Sequence, residues 1–431
     1  MIKTVNFRTL GCRLNHAESD SLEFALQKAG YSVVGSKTPA DLTIINSCAV
    51  TKQAEAKTRG AIAAARRISP GGKIAVIGCY SQMSPELVAD IAGVNLVLGN
   101  SEKYQVIDFL KGLERGSREI HVSGEIGGDT FPKPGWISKG SRTRAYLKIQ
   151  EGCDYRCSYC IIPLLRGPAR SRNFQNCIDE AVQLAESGFR EIVLTGVNIG
   201  TYSDGSNDLS DLIEAILSAG RVERLRISSI EPDLVTDKLI HLMRSEPRIC
   251  RHFHIPLQHG SNDILGFMRR RYRKEQFSAL ISKIYDTVPG ICIGTDVMVG
   301  FPGETEHHFR ETYLLLEKMP IAYFHVFRYS PRPGTVTKDL GNSVPAAIKK
   351  ERAESLRQLS ARKRLNYRQR FLNRELSVLF EKKTKLGLYR GLSDNYITVN
   401  VRSSENIVNS IQTVWITDVK STEVLGELRG E

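Results

Sequence analysis

One order of segments constrains this chain more than anything else in it: a short β-rich run, then a helical run, repeated. The first β-rich runs are VNFRTLGC, ending at Cys12, DLTIINSC, ending at Cys48, and KIAVIGC, ending at Cys79. Helical stretches, ESDSLEFALQKAG and AEAKTRGAIAAARRI, follow the first two. Strand then helix, repeated, predicts a parallel sheet with right-handed crossovers. The carboxyl ends of such strands line one edge, where ligands bind, so the three cysteines are expected to meet there. A single buried Cys is an ordinary small hydrophobe. Three at three successive strand ends ask for a shared role. GYSVVGSKT (residues 30–38) has the look of a phosphate loop but fails as one, since Ser36 follows Gly35 where a Lys is required.

From about residue 140 the period lengthens. Strand-like segments are AYLKIQ, EIVLTG, RLRISS, RHFHIPL, ICIGTDVMV and AYFHVFRYS, with helical stretches such as NCIDEAVQLAESGF between them. Six such units predict a partial α/β barrel, whose chemistry sits at the carboxyl ends of its strands. Those ends read EGCDYRCSYC, TGVNIG, SSIEP, PLQHGS, GFPGET and SPRPGT. Gly, Pro and polar residues suit loops that approach a ligand closely, and they also suit plain turns.

The first of these loops holds Cys153, Cys157 and Cys160 with no fourth cysteine until Cys177. Structural zinc normally completes itself with a paired C-x-x-C or a His pair of finger spacing, and none is present. His252 and His254 share one face of a strand, where hydrogen-bonded histidines are the plainer reading. Clustered thiolates suit iron–sulfur clusters. Three cysteines on a [4Fe–4S] cube leave one iron open to an outside ligand.

The chain has 431 residues, nine cysteines and a net charge of +13. That length supplies a core without disulfides, and an odd cysteine count argues against a disulfide framework. No apolar run reaches the roughly 18 residues of a membrane span, and the N-terminus lacks a signal-peptide core, so reduced thiols in a cytoplasm are expected. The positive balance favours a polyanionic partner. Residues 345–370 carry nine Lys/Arg against two Glu in a helical pattern, either a solvated linker or a basic rail. Residues 371–431 alternate apolar and polar, which predicts a small antiparallel barrel.

These residues together carry a resemblance. C-x3-C-x2-C after the first strand of a six-unit barrel resembles the radical S-adenosylmethionine superfamily. The contexts TLGC, NSCAVT and GCYSQ, with RGPARSR, LTGVNIG, FHIPLQHGS, GTDVMVGFPGET and YSPRPGT, are similar to the methylthiotransferases over nearly the whole chain. The resemblance implies two [4Fe–4S] clusters. Cys153, Cys157 and Cys160 would hold the one whose open iron binds S-adenosylmethionine and yields a 5′-deoxyadenosyl radical. Cys12, Cys48 and Cys79 would hold an auxiliary cluster that supplies the methylthio sulfur. Cys177, Cys250 and Cys292 match no motif and read as structural.

It also implies domains at 1–115 (auxiliary cluster), 140–344 (radical barrel), 345–370 (linker helix) and 371–431, the last resembling the RNA-binding TRAM barrel. Tyr159, Gly196, Asn198, Ser228, Glu231 and Gln258 are the expected cofactor contacts. Arg166, Arg170 and Arg172 are expected to face a substrate carboxylate. Arg269, Arg271, Arg362, Lys363 and Arg364 are expected to meet phosphates of a tRNA anticodon stem-loop. TLGCRLN, LTGVNIGTYSDG and MRRRY most resemble the branch acting on threonylcarbamoyladenosine; other branches act on isopentenyladenosine or a ribosomal-protein aspartate. A low-potential electron donor and a monomeric state are also expected. The rival of another class is a non-catalytic RNA-binding metalloprotein, distinguished by tightly bound zinc in place of about eight irons.

Overall fold

The computed structural model describes residues 2–114, 118–124, 126, 127, 131, 143–338 and 340–429. The expected boundaries at 115 and 140 lie outside the described residues.

The first sheet has six parallel strands in the order Ser32–Val34, Thr4–Thr9, Leu42–Ser47, Lys73–Gly78, Leu96–Leu98 and Glu119–His121. The three read from the sequence form its centre. The other three are three residues long each, too short to leave an alternation pattern. Every position of Leu42–Ser47 is buried, as befits a strand covered on both faces. The cysteine-bearing strands are immediate neighbours, about 4.8 Å apart as in any sheet. Helix Lys52–Ile68 starts where the Thr51 side chain accepts from the Ala54 amide (3.2 Å).

The second unit sets six parallel strands in chain order: Arg144–Lys148, Glu191–Thr195, Leu225–Ile227, His252–His254, Cys292–Val299 and Tyr323–Arg328. Single bridges such as Ser229 to His254 join the third to the fourth. The result is an open barrel with its loops on one rim. Helix Arg13–Lys28 of the first unit lies against the strand Arg144–Lys148.

Helix Ala346–Gln369 packs on the last barrel strand, where Ser360 Oγ accepts from Phe324 N (2.9 Å) and donates to Phe324 O (2.8 Å). The chain then closes a five-stranded barrel, Glu375–Lys383, Tyr389–Ser393, Thr398–Val401, Val424–Leu428 and Ile411–Val419 in spatial order. Its core runs into the floor of the central barrel through Cys292, Tyr323, Tyr367 and Phe371. Arg226, fully buried, pins the two together by donating to Ser393 O and Asp394 O (both 3.1 Å) and pairing with Glu191 (2.6 Å). No described helix is long and apolar enough to cross a membrane.

Candidate active site

Topology brings the first thiols together, and glycine lets them approach. Gly11 has φ +100°, and a Cβ there would lie 2.8 Å from the Cys48 Cβ. Gly78 has φ +91°, and a Cβ there would lie 2.5 Å from Asn46 Oδ1. Only glycine fits either place without strain. Cys12 and Cys48 both feel Cys79, and Cys48 feels Cys12. The second triplet lies on the loop after Gln150–Glu151, where Cys160 feels both Cys157 and Cys153.

All six thiols are free. Burial pushes Cys48 up to about 11 and Cys160 up to about 12. Buried neutral thiols of this kind ionise when they ligate a metal. Hydrogen-bond donors point at the sulfurs: Arg270 Nη1 at Cys157 (3.2 Å), the Tyr155 amide at Cys153 (3.4 Å) and Asn100 Nδ2 at Cys79 (3.9 Å). Such donors are the usual cradle of an iron–sulfur cluster. Among the described residues one set of His, Cys, Asp or Glu has its ligand atoms all within 4.8 Å, namely His254, Asp296 and His325. Neither thiol triplet draws its three sulfurs within that span.

Beside Cys160 lies a cavity of about 190 Å³. Val50 and Thr51, just past Cys48, form one wall; Tyr159, Cys160 and Gln258 face them. Met298 and Phe327 give it apolar surface, and Asp296 lies on its wall. Asp296 accepts from His254 Nε2 and His325 Nδ1, both at 3.1 Å. Burial opposes its ionisation, but these two imidazoles outweigh it and hold the carboxyl well below the usual range. Arg332 closes the far side, reaching Ala49 O (3.1 Å) and Glu55 across the gap.

The expected cofactor contacts are distributed along the barrel rim. Asn198 is buried, and neither side-chain amide atom has a partner among the described residues, so it is a polar group that asks for a ligand. Ser228 is buried at the next strand end. Gly196 is crossed by Gln150, whose Cβ and O would each stand 2.9 Å from an added Cβ. Gln258 adopts φ 66° and Tyr159 lines the cavity. Glu231 is paired with Arg270, the guanidinium that also touches Cys157.

The expected substrate cations are placed differently from one another. Arg166 is 2% exposed and already bonded to Glu18 (2.9 Å), Glu151 (2.8 Å) and Asn15 (2.8 Å), so it presents nothing to a substrate. Arg172 is buried against Glu180. Arg170 is half-buried, with Nε and Nη1 unpartnered among the described residues. Arg269 and Arg271 lie at the surface, the latter 3.9 Å over the Tyr155 ring. On the basic helix, Arg362 pairs with Glu317 (2.6 Å). Lys363 donates to the carbonyls of Glu317 (2.9 Å) and Met319 (2.7 Å). Arg364 sits over the Tyr323 ring at 5.1 Å. That helix is a packing element whose cations are largely engaged within the molecule. The sequence alone does not single out Arg270, Asp296, His325 or Arg332, although they stand inside MRRRY, GTDVMVG, AYFHVFRYS and YSPRPGT.

Comparisons with known proteins agree with this geometry. The Radical SAM superfamily matches residues 147–316, and the uncharacterized protein family UPF0004 matches residues 4–99. The threonylcarbamoyladenosine tRNA methylthiotransferase MtaB of Bacillus subtilis is 36% identical over 421 residues, 96% of this chain and 93% of that protein. Its namesake from Thermotoga maritima is 37% identical over 92% of this chain and 91% of its own. The tRNA-2-methylthio-N(6)-dimethylallyladenosine synthase of Acetivibrio thermocellus is 31% identical over 97% and 90%. Among solved structures, the radical S-adenosylmethionine methyltransferase TsrM from Kitasatospora setae superposes with a TM-score of 0.61. At 15% identity, over 78% of this chain and 77% of that one, it speaks for the fold alone. Fold and site thus define a radical S-adenosylmethionine enzyme, which uses [4Fe–4S] chemistry and that cofactor. Within that superfamily, the chain belongs to the methylthiotransferase family.

Proposed function

We propose that this enzyme places a methylthio group on C2 of N6-threonylcarbamoyladenosine beside the anticodon of a tRNA. The observation that carries this reading is the cavity walled by residues next to Cys48 on one unit and by Cys160 on the other. A radical must form within contact distance of the hydrogen it removes, and the sulfur must wait at the same carbon. A cavity lined by Cys160 and by the residues just past Cys48 serves both demands. Bound clusters and S-adenosylmethionine would supply the radical and the sulfur. The chain's own part is to hold them. Cys153, Cys157 and Cys160 would ligate one cluster; Cys12, Cys48 and Cys79 would ligate the other. Asn198 and Ser228 would meet the cofactor's polar groups. The apolar wall of Val50, Met298 and Phe327 would exclude water from the reacting atoms.

Greater identity to proteins named for threonylcarbamoyladenosine than to those named for dimethylallyladenosine favours the first substrate. Arg170, with two donors unpartnered among the described residues, is the cation we assign to the threonylcarbamoyl carboxylate. Arg269 and Arg271, both exposed, would contact phosphates. The domain division 1–115, 140–344, 345–370 and 371–431, a cytoplasmic location, a monomeric state and a low-potential electron donor belong to the same proposal. The apolar cavity wall gives the isopentenyl substrate a specific claim too. The test offers purified, reconstituted enzyme both modified tRNAs together and follows methylthio incorporation. Preference for threonylcarbamoyladenosine supports the reading; preference for isopentenyladenosine overturns it.

A further inference from the structure

Five ionisable side chains are buried together where helix Arg13–Lys28 meets the barrel. Glu18, Lys103, Lys148, Glu151 and Arg166 are each 6% exposed or less. Glu18 lies at the centre, with Lys103 at 2.7 Å, Arg166 at 2.9 Å and Lys148 at 3.3 Å. Glu151 closes the group against Lys148 and Arg166. Glu18 and Lys103 come from the first unit, the other three from the barrel. Among the described residues the group counts three cations against two carboxylates, so one positive charge is left over in a dry place. Buried charge is costly unless an opposite charge answers it.

Two asparagines connect this group to the first thiol triplet. Asn15 Oδ1 accepts from Arg166 Nη2 at 2.8 Å and from the Cys12 thiol at 3.6 Å. Asn100 accepts from Lys103 at 3.0 Å and points its Nδ2 at Cys79 from 3.9 Å. Arg166 acts electrostatically on Cys12, Cys48 and Cys79 alike. At the other triplet, by contrast, Arg270 beside Cys157 is answered by Glu231.

We propose that the buried network centred on Arg166 is the counter-charge of an anionic cluster on Cys12, Cys48 and Cys79, setting its reduction potential while docking the first unit on the barrel. The inference rests on the methylthiotransferase reading, which places a cluster there. Positive charge nearby favours the reduced, more negative form and raises the potential, strongly so in a low-dielectric interior. Arg166 and Glu18 are therefore positioning residues that act through charge.

The test isolates one cluster at a time. In a Cys153→Ala, Cys157→Ala, Cys160→Ala background only the auxiliary cluster remains, and its potential is read by electron paramagnetic resonance during redox titration. Adding Arg166→Met is expected to move it to a more negative potential, and Glu18→Gln to a more positive one. Arg166→Lys should stay near the parent value. Opposite signs separate a charge effect from mere loosening, which would move both variants the same way. If Arg166→Met fails to fold, Lys103→Met removes one positive charge from the same group and should give the same negative shift. In the complementary Cys12→Ala, Cys48→Ala, Cys79→Ala background, Arg166→Met should leave the radical cluster's potential unchanged. Unshifted auxiliary potentials, or shifts of one sign, overturn the inference alone. No auxiliary cluster at all in the first background overturns the functional reading along with it.

Discussion

Arg332 links the loop after Cys48 directly to the barrel. It is 3% exposed and donates to Ala49 O and Glu55. Arg332→Met would strand a buried carbonyl and a carboxylate, a loss of about 1–3 kcal/mol. The expected outcome is a lower thermal midpoint and a smaller yield of methylthio product per 5′-deoxyadenosine released, measured by scanning calorimetry and by product ratio. At this scale the sequence is legible where chemistry needs a residue type at a fixed spacing, as with the six cysteines. It is illegible where direction matters. Spacing puts Arg166 and Arg172 near the radical cluster, but their partners are Glu18, distant in the chain, and Glu180, on the following helix. Spacing cannot tell which way a guanidinium turns.

Among the elements, helix Ala346–Gln369 shows that a charge count says nothing of what the charges meet. Nine cations over residues 345–370 suggest a rail, yet Arg362, Lys363 and Arg364 fold back onto Glu317, two carbonyls and an aromatic ring. Neutralising those three is expected to change the salt dependence of tRNA binding little. Neutralising Arg269 and Arg271 should lower the log–log slope by roughly 0.7–0.9 for each phosphate left without its cation. Filter binding over a salt series reads the difference. A second element-level prediction concerns the docking of the C-terminal barrel. Burial opposes ionisation of Glu191, but Arg226, with Arg144 and Arg224, outweighs it and holds the carboxyl at about 2. A carboxyl whose folded value lies below its unfolded 4.5 stabilises the fold above that pH and loses the contribution as pH falls towards 2. Glu191→Gln should thus cost roughly 3–5 kcal/mol at neutral pH, since it leaves Arg226 buried without its partner. It should also flatten the acid limb of the stability curve, as followed by chemical denaturation from about pH 5 down to about pH 2. An acid limb identical to that of the parent would contradict this role for Glu191.

Over the whole molecule, the sequence discloses the order of units and the six-strand barrel because strand and helix periods persist over long stretches. It does not disclose the three short strands of the first sheet, nor the packing of helix Arg13–Lys28 on the barrel. That packing joins residues far apart in the chain, such as Glu18 and Lys148. A cavity between the same two units is lined by Val50 and Thr51, just past Cys48, and by Cys160 of the barrel. The central claim is that the triplets divide the labour: one makes the radical, the other delivers sulfur. Its most direct test measures 5′-deoxyadenosine and methylthio-tRNA together, under a chemical reductant, for Cys157→Ala and Cys48→Ala. The account predicts neither product from Cys157→Ala. From Cys48→Ala, with its radical cluster intact by iron content, it predicts 5′-deoxyadenosine without methylthio-tRNA. Loss of 5′-deoxyadenosine in that Cys48 variant, or continued methylthio transfer by it, would contradict the account.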